Sequence, residues 1–297
     1  MVLVGPKRRF LQLNKLKQDD SCVVGPPEII LSNSEIWNGK PWIVDFLTPT
    51  YEENFYRFNN DRRVNESSLL LEKIALLMGG FFIFAHKGQL ESKKIRNKDI
   101  LKDFSDKDFA LIPPDFPDFS FKEEDSKYIV WGGGAWDWLD PGTFIKAMNH
   151  AKTKHKGVIF ADRYKGSIFK NKKMRNLNSE KVEINAFTEE SRYFNYVNNS
   201  LLWICLHPLK SKEAPVAYRT RLLDAIYTGR PVVVTRGEVL GDFIVENGGG
   251  WFVEHENHNQ VTSLIEGLDL NEVREKGKAA KRLLEEVQYQ KIRKNIL

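Results

Sequence analysis

Two cysteines in 297 residues, Cys22 and Cys205, are too few and too far apart for a disulfide framework or a zinc-ligand spacing. Cys205 lies in the apolar run Leu201-Leu-Trp-Ile-Cys-Leu206, the setting of a buried thiol in a reducing compartment. Long hydrophobic runs are missing as well. The longest, residues 74–85, is broken by Gly79-Gly80 and too short to cross a bilayer, so it reads as helix, turn and strand. The start, Met1-Val-Leu-Val-Gly-Pro-Lys-Arg-Arg9, has no signal-peptide apolar core, and the expectation is a cytoplasmic protein. Neither charge sign dominates: 45 Lys and Arg stand against 40 Asp and Glu, a net charge of +5. That balance gives no ground for nucleic-acid binding; it suits phosphorylated ligands or an anionic membrane face.

What is present is an ordinary globular composition, 41% hydrophobic and 29% charged, with aromatics rather high at 12%. The length allows one large or two ordinary domains. Short apolar runs at 29–31, 42–46, 81–85 and 109–112 alternate with a long helical pattern over 67–78, which argues for a parallel sheet. Residues 113–125, rich in proline and charge, make the best linker, so the expected domains are 1–122 and 123–297. After it the rhythm restarts. Strands are expected at 128–131, 158–161, 201–206, 232–235 and 251–253, with helices near 142–152, 189–198, 218–228, 239–247, 258–268 and from 271 to the end. Five parallel strands with intervening helices describe a complete Rossmann-like domain.

The most informative segment is Trp131-Gly-Gly-Gly-Ala-Trp136-Asp-Trp138-Leu-Asp140, where Gly132, Gly133 and Gly134 stand between a strand and a helix. Glycines there let backbone approach a ligand closely, and the next helix offers its N-terminus to phosphate. A plain flexible turn is the bland alternative. A second segment, 213–238, pairs a helix with the strand 232–235 and a loop Arg236-Gly237-Glu238 at the carboxyl edge of the sheet, where open α/β sheets bind ligands. On a helical wheel Thr220, Arg221 and Asp224 share one face, with Leu222, Leu223 and Ile226 toward the sheet. Asp224 can accept both hydroxyls of a ribose, and arginines such as Arg219, Arg221 and Arg236 can fork onto a diphosphate. An Arg221–Asp224 surface pair is an equal reading. Gly229 ends the helix as a C′ glycine, and Gly248-Gly-Gly250 reads as a helix cap and turn. His207, directly after a buried strand, is either a satisfied core histidine or a catalytic group.

These residues carry a resemblance. Trp131 through Pro141, then Leu206-His-Pro208, then Glu213 through Gly237 with its Arg-Thr-Arg-Leu-Leu-Asp and Gly-x-Pro-Val-Val-Val-Thr-Arg-Gly, are similar to group 1 (family four) glycosyltransferases of the GT-B type. The likeness covers most of 26–260 and is specific in 128–255; Pro41 to Asn54 and Phe81 to Gln89 resemble the family more weakly. It implies two Rossmann-like domains, the N-terminal one incomplete because only about 45 residues precede Asp45, so that a partner chain completing it is one reading. It further implies a nucleotide-sugar donor as substrate with no cofactor, no metal, and transfer usually with retention to a glycan or lipid-linked acceptor. Asp224 falls at the ribose-binding carboxylate. Glu213 is the nearest counterpart of the first glutamate in the family's Glu-x7-Glu motif, which faces the donor sugar, and Gly237 and Glu238 fall in the loop touching sugar and phosphate. The donor side then comprises Gly132, Gly133, Gly134, Trp136, Trp138, Asp140, Arg219, Arg221, Asp224, Arg236, Gly237 and Glu238, and the catalytic candidates are Glu213 and His207.

Two departures stand out. Glu213 and Asp224 are eleven residues apart, not eight, and the Arg and Lys that usually follow the first strand of the C-terminal domain are replaced by the Gly/Trp loop. Diphosphate neutralisation then falls to Arg219, Arg221, Arg236 or Arg163. The alternative function is a truncated, non-catalytic nucleotide-sugar-binding relative. A nucleotide-dependent oxidoreductase fits poorly, since the third fingerprint glycine position holds Asp137. The basic groups Lys7-Arg-Arg9 with Lys15 and Lys17, and Lys165 to Arg175, read either as peripheral contacts to an anionic membrane or as solvated surface.

Overall fold

A computed structural model describes residues 2–3, 23–32, 41–46, 48–58, 60–102, 104–105, 108–111, 126–136, 138–161, 179–186 and 190–284. The chain divides into two compact units, one formed by Met1–Pro117 with Val216–Tyr218 and Gln288–Leu297, the other by Asp118–Pro215 and Arg219–Val287.

The first unit carries a five-stranded parallel sheet whose spatial order follows the chain: β1 (Val2–Leu3), β2 (Val23–Gly25), β3 (Trp42–Phe46), β4 (Phe81–Phe84) and β5 (Phe109–Leu111). β1 and β2 have no counterpart in the expected strands. The run 29–31, expected with the strands, lies in helix α1 (Pro27–Ser32). Pro27 at the helix start and Glu28 in its first turn are helix-start signals, and three apolar residues make less than one helical turn. α2 (Thr50–Arg57) follows β3, and α3 (Arg62–Met78) begins five residues ahead of the expected helix. The Asp61 carboxylate caps α3, accepting from Arg63 N at 2.8 Å and Val64 N at 3.4 Å. Trp42, Val44 and Phe46 of β3, Phe82 and Phe84 of β4, and Ala75 and Leu76 of α3 form the core.

Beside that apolar core sits a buried ionic cluster. Glu72 of α3 accepts from Lys93 Nζ and twice from Arg96, both on α4 (Lys87–Arg96), while Arg96 also reaches Glu52 at 2.7 Å. Burial pushes the Glu72 carboxyl up, but Lys93 and Arg96 more than offset it and hold it below the usual carboxylate range. A small cleft at the carboxyl ends of β2 and β3 is lined by Glu28, Asp45, Thr50, Ser68, Glu72 and Lys93. α5 (Lys98–Leu101) leads to β5.

The second unit is a six-stranded, wholly parallel sheet: β6 (Tyr128–Trp131), β7 (Lys156–Ala161), β8 (Val182–Ala186), β9 (Ser200–Cys205), β10 (Val232–Thr235) and β11 (Gly250–Val253). Their spatial order is β8-β7-β6-β9-β10-β11, the doubly wound order with its reversal between β6 and β9. Its helices are α6 (Pro141–His150), α7 (Glu190–Asn198), α8 (Thr220–Thr228), α9 (Val239–Glu246), α10 (His258–Glu266) and α11 (Leu270–Arg282). One strand more than expected is present. β8 alternates polar and apolar residues and leaves Ile184 43% exposed at the sheet edge, so it lacks the continuous apolar run that reveals a central strand. β9, by contrast, is buried at all six positions. Gly229 at φ +65° caps α8 as the sequence indicates, its backbone N–H bonding back to the helix carbonyls. The Gly248 and Gly249 amides likewise cap α9, donating to Val245 O and Ile244 O. The linker 113–125, the basic groups 7–17 and 165–175, Arg163 and the end of the last expected helix lie outside the described residues. Among the described residues no helix is long and apolar enough to cross a membrane.

Glu72→Ala leaves Lys93 and most of Arg96 inside the protein without their shared carboxylate. The expected loss in unfolding free energy is about 3–5 kcal/mol by urea denaturation, and a loss below about 1 kcal/mol would show that the cluster does not depend on Glu72.

Candidate donor site at the strand reversal

Loops leaving β6 and β9 run to opposite faces of the sheet, because the chain order reverses between these two strands. The loop after β6 is fastened at both ends to the segment continuing β9. Gly132 N donates to Ile204 O at 2.7 Å, and Asp140 N to Leu206 O at 2.9 Å. Within it, Trp131 Nε1 donates to Gly134 O at 3.0 Å. A Cβ on Gly133 would stand 2.6 Å from Leu139 Cδ1, and one on Gly134 2.4 Å from Trp136 Nε1. The glycines are therefore required by close packing inside the loop itself. Trp136 and Trp138 stack face to face at 5.2 Å with planes 2° apart, Trp136 half-buried and Trp138 buried. Asp140 is the α6 N-cap: its carboxylate takes Thr143 N at 3.2 Å and the Thr143 hydroxyl at 2.6 Å. That gives Asp140 a complete structural task.

Gly132 also abuts the next element, where a Cβ would sit 3.2 Å from Cys205 Cβ. Cys205 Sγ accepts from Arg219 NH1 at 3.2 Å, and Arg219 NH2 pairs with Glu213 Oε2 at 2.8 Å. Arg219, Glu213, His207 and Glu238 are all buried, at 8%, 4%, 3% and 1% exposure. Glu238 caps α9, its Oε2 accepting from Gly241 N. His207 is locked between strand ends: its amide donates to Thr235 Oγ1 at 3.1 Å, and its carbonyl accepts from His255 Nδ1 at 3.0 Å. The His207 ring donates from Nδ1 to Pro208 O, which leaves Nε2 as a bare acceptor. Gly237, at φ +94°, lies against that ring, and a Cβ there would be 3.9 Å from His207 Cε1. Three buried side-chain atoms of this group, His207 Nε2, Arg219 Nε and Glu238 Oε1, have no hydrogen-bond partner among the described residues. Such atoms cost about 1–3 kcal/mol each when unsatisfied, so their gathering at one sheet edge makes it the candidate site for a polar ligand.

Charges in the cluster are tuned by burial. Burial and the adjacent Arg219 push the His207 imidazole down to about 4, so it is neutral at physiological pH. The Glu238 carboxyl is pushed up by burial and by Glu213, against Arg219 and the Gly241 amide, to about 7. Cys205 is pushed up to about 11, chiefly by burial, and stays a thiol.

The other sequence candidates have partners of their own. Asp224, one turn inside α8, is 1% exposed and takes the hydroxyl of Tyr193 from α7, so it does not share the half-buried face of Thr220 and Arg221. Nor is Arg221–Asp224 merely a surface pair: the Arg221 guanidinium lies 4.6 Å over the Tyr193 ring. Arg236 lies 3.8 Å over Phe252 and faces Glu246 at 3.9 Å, with both members of that ion pair exposed. Tyr193, Thr235 and His255 were not singled out from sequence. Thr235 and His255 could have been found, because each sits at or just past the carboxyl end of a strand; Tyr193 carries no such signal.

No family model and no curated protein matches the sequence. Solved structures do. Sucrose-phosphate synthase of Thermosynechococcus elongatus matches at TM-score 0.67 and 14% identity, over 97% of this chain and 75% of that one. HepE of Anabaena, in complex with UDP-glucose, matches at 0.64 and 10%, over 93% and 77%. A variant of S. aureus TarM, in complex with fondaparinux, alpha-GlcNAc-glycerol and UDP, matches at 0.62 and 17%, over 96% and 56%. The fold is GT-B. The chain spans just over half the length of TarM, and at these identities the likeness is one of GT-B architecture.

Glu238 also gives the stability a pH dependence. Its folded value of about 7 lies above the ordinary 4.5, so its contribution is full below pH 4.5 and is lost as pH rises through 7. His207 works the other way, its contribution present above 6.5 and lost as pH falls through about 4. Comparing wild type with Glu238→Gln isolates the first. The variant should gain on wild type between pH 5 and 8, by on the order of 3 kcal/mol in all, and parallel pH–stability curves would refute the assignment.

Proposed function

We propose that the chain is a glycosyltransferase that moves a sugar from a nucleotide-diphosphate donor to a glycan or lipid-linked acceptor, with retention and without a metal ion. One observation carries this reading: at the strand reversal of a GT-B unit, a buried guanidinium, a helix N-terminus and three unpartnered buried polar atoms lie within one cluster. UDP and UDP-glucose in complexes of HepE, and UDP in that of TarM, support a nucleotide-sugar donor.

In this reading the diphosphate lies against the Gly237 and Glu238 end of α9 and against Arg219, which supplies the cation that the Gly/Trp loop lacks. The backbone of Gly132, Gly133 and Gly134 borders the donor, and the stacked Trp136 and Trp138 give it an aromatic wall. Neutral His207 offers Nε2 to a sugar hydroxyl. In the free protein Glu213 pairs with Arg219. Asp224 is assigned to the ribose, whose hydroxyls would take the place that the Tyr193 hydroxyl fills. Chemistry rests on fixing donor and acceptor in reach of each other and on stabilising the departing diphosphate with Arg219 and backbone dipoles.

A thermal-shift panel of UDP-, GDP- and ADP-linked sugars should reveal at least one that raises the melting temperature. With that donor, Arg219→Gln should lower kcat/KM roughly 100-fold or more, the loss typical of removing one transition-state charge contact. Absence of any shift across the panel would overturn the reading.

A further inference from the structure

The buried cluster has one cation and two carboxylates. Arg219 pairs with Glu213 at 2.8 Å, and Glu238 stands near enough to both to feel their charge. When both carboxylates are ionised the group is net negative, a poor host for a diphosphate. Around Glu238 the charged and titratable groups are Arg219 ahead of α8, Glu213 and His207 from the loop after β9, Cys205 at the end of β9, and Asp242 on α9, which accepts from Gly237 N at 2.9 Å. Of these, Cys205 is a thiol and His207 is neutral, so Arg219 is the cation that balances Glu213 and Glu238.

Resting on the function proposed above, we infer that a nucleotide sugar binds by taking the place of Glu213 on Arg219, and that Glu238 takes up a proton from solvent as it does so. Glu213 is then an internal stand-in for phosphate: an anion at 2.8 Å on one face of the guanidinium, while Arg219 Nε and Glu238 Oε1 remain without partners. Sharing Arg219 with a diphosphate weakens the nearby positive charge that favours the Glu238 carboxylate, and the ligand adds negative charge beside it. A protonated Glu238 keeps its Oε2 bond from Gly241 N as the α9 cap and gains an O–H to donate from Oε1 to a ligand oxygen. In the free protein this carboxyl is already close to half-protonated at neutral pH, so the proton is available at little cost.

The experiment is titration calorimetry with the tightest sugar nucleotide of the panel above, whose diphosphate does not itself titrate near neutrality. It is run from pH 6 to 9, in pairs of buffers of different ionisation enthalpy. Wild type should take up about half a proton at pH 7 and close to one at pH 8, and Kd should weaken roughly tenfold per pH unit above 8. Glu238→Gln, which mimics the protonated acid and keeps the cap, should bind with a flat pH profile and no proton uptake. Glu213→Gln should bind more tightly than wild type at every pH, because the competitor is gone. Uptake that persists in Glu238→Gln places the proton on another group, His207 or the displaced Glu213, and overturns the inference. So does a flat wild-type profile, or Glu213→Gln binding weaker than wild type. No binding at any pH instead removes the glycosyltransferase reading itself, and this inference with it.

Discussion

Everything assigned to the second unit depends on the reversal of strand order between β6 and β9. Parallel strands with right-handed crossovers send their loops to one face before the reversal and to the other face after it, which opens a crevice at the carboxyl edge of these two strands. The loop after β6 is tied to the β9 segment by the Gly132–Ile204 and Asp140–Leu206 hydrogen bonds, so the crevice has a fixed wall. Short β10 and β11 end beside it and deliver Thr235, Gly237, Glu238 and His255.

The charge arrangement follows from that geometry. A site at the edge of a sheet buried on both faces is dry, so the Arg219 guanidinium needs a carboxylate partner and Glu213 supplies it. A second carboxylate, Glu238, shares the same cation less directly and is raised toward neutrality. The first unit shows the same physics with the opposite balance. There Lys93 and Arg96 converge on Glu72, with Glu52 behind, and the carboxyl is depressed instead of raised. Both arrangements leave buried polar atoms without partners among the described residues, His207 Nε2, Arg219 Nε and Glu238 Oε1 at the sheet edge and Glu52 Oε2 and Asn97 Oδ1 around Arg96 and Glu72, and the latter knits α3 to α4 beside an aromatic core.

Several residues that attract attention in the sequence have local tasks. The three consecutive glycines fit around Leu139, Trp136 and Cys205, and Asp140 caps a helix. Asp224 is satisfied by a tyrosine from a helix more than twenty residues earlier in the chain. Such tasks do not exclude contact with a ligand, but they show that residue type in a motif is not by itself a measure of availability. Arg236, an apparent phosphate ligand by position, stacks on Phe252 at the sheet's edge strand. Arg219, an N-cap position with no side-chain cap, is the arginine turned inward.

From the sequence alone one could read the α/β class, the strands of the second unit except β8, the glycine that ends α8, and the two segments that meet at the site. Those are legible because continuous apolar runs, helix caps and left-handed glycines act over a few residues, and each leaves its mark within one turn or strand. Edge strand β8 was not legible because its residues alternate polar and apolar, and β1 and β2 were not because two and three residues are too few to show a strand period. Only the tertiary structure decided which arginine is buried, which carboxylate it holds, and that His207, Arg219 and Glu238 each keep an unpartnered atom in one place. Such pairings join loops from different strands, and desolvation depends on everything packed around a group, so neither leaves a trace in local residue order.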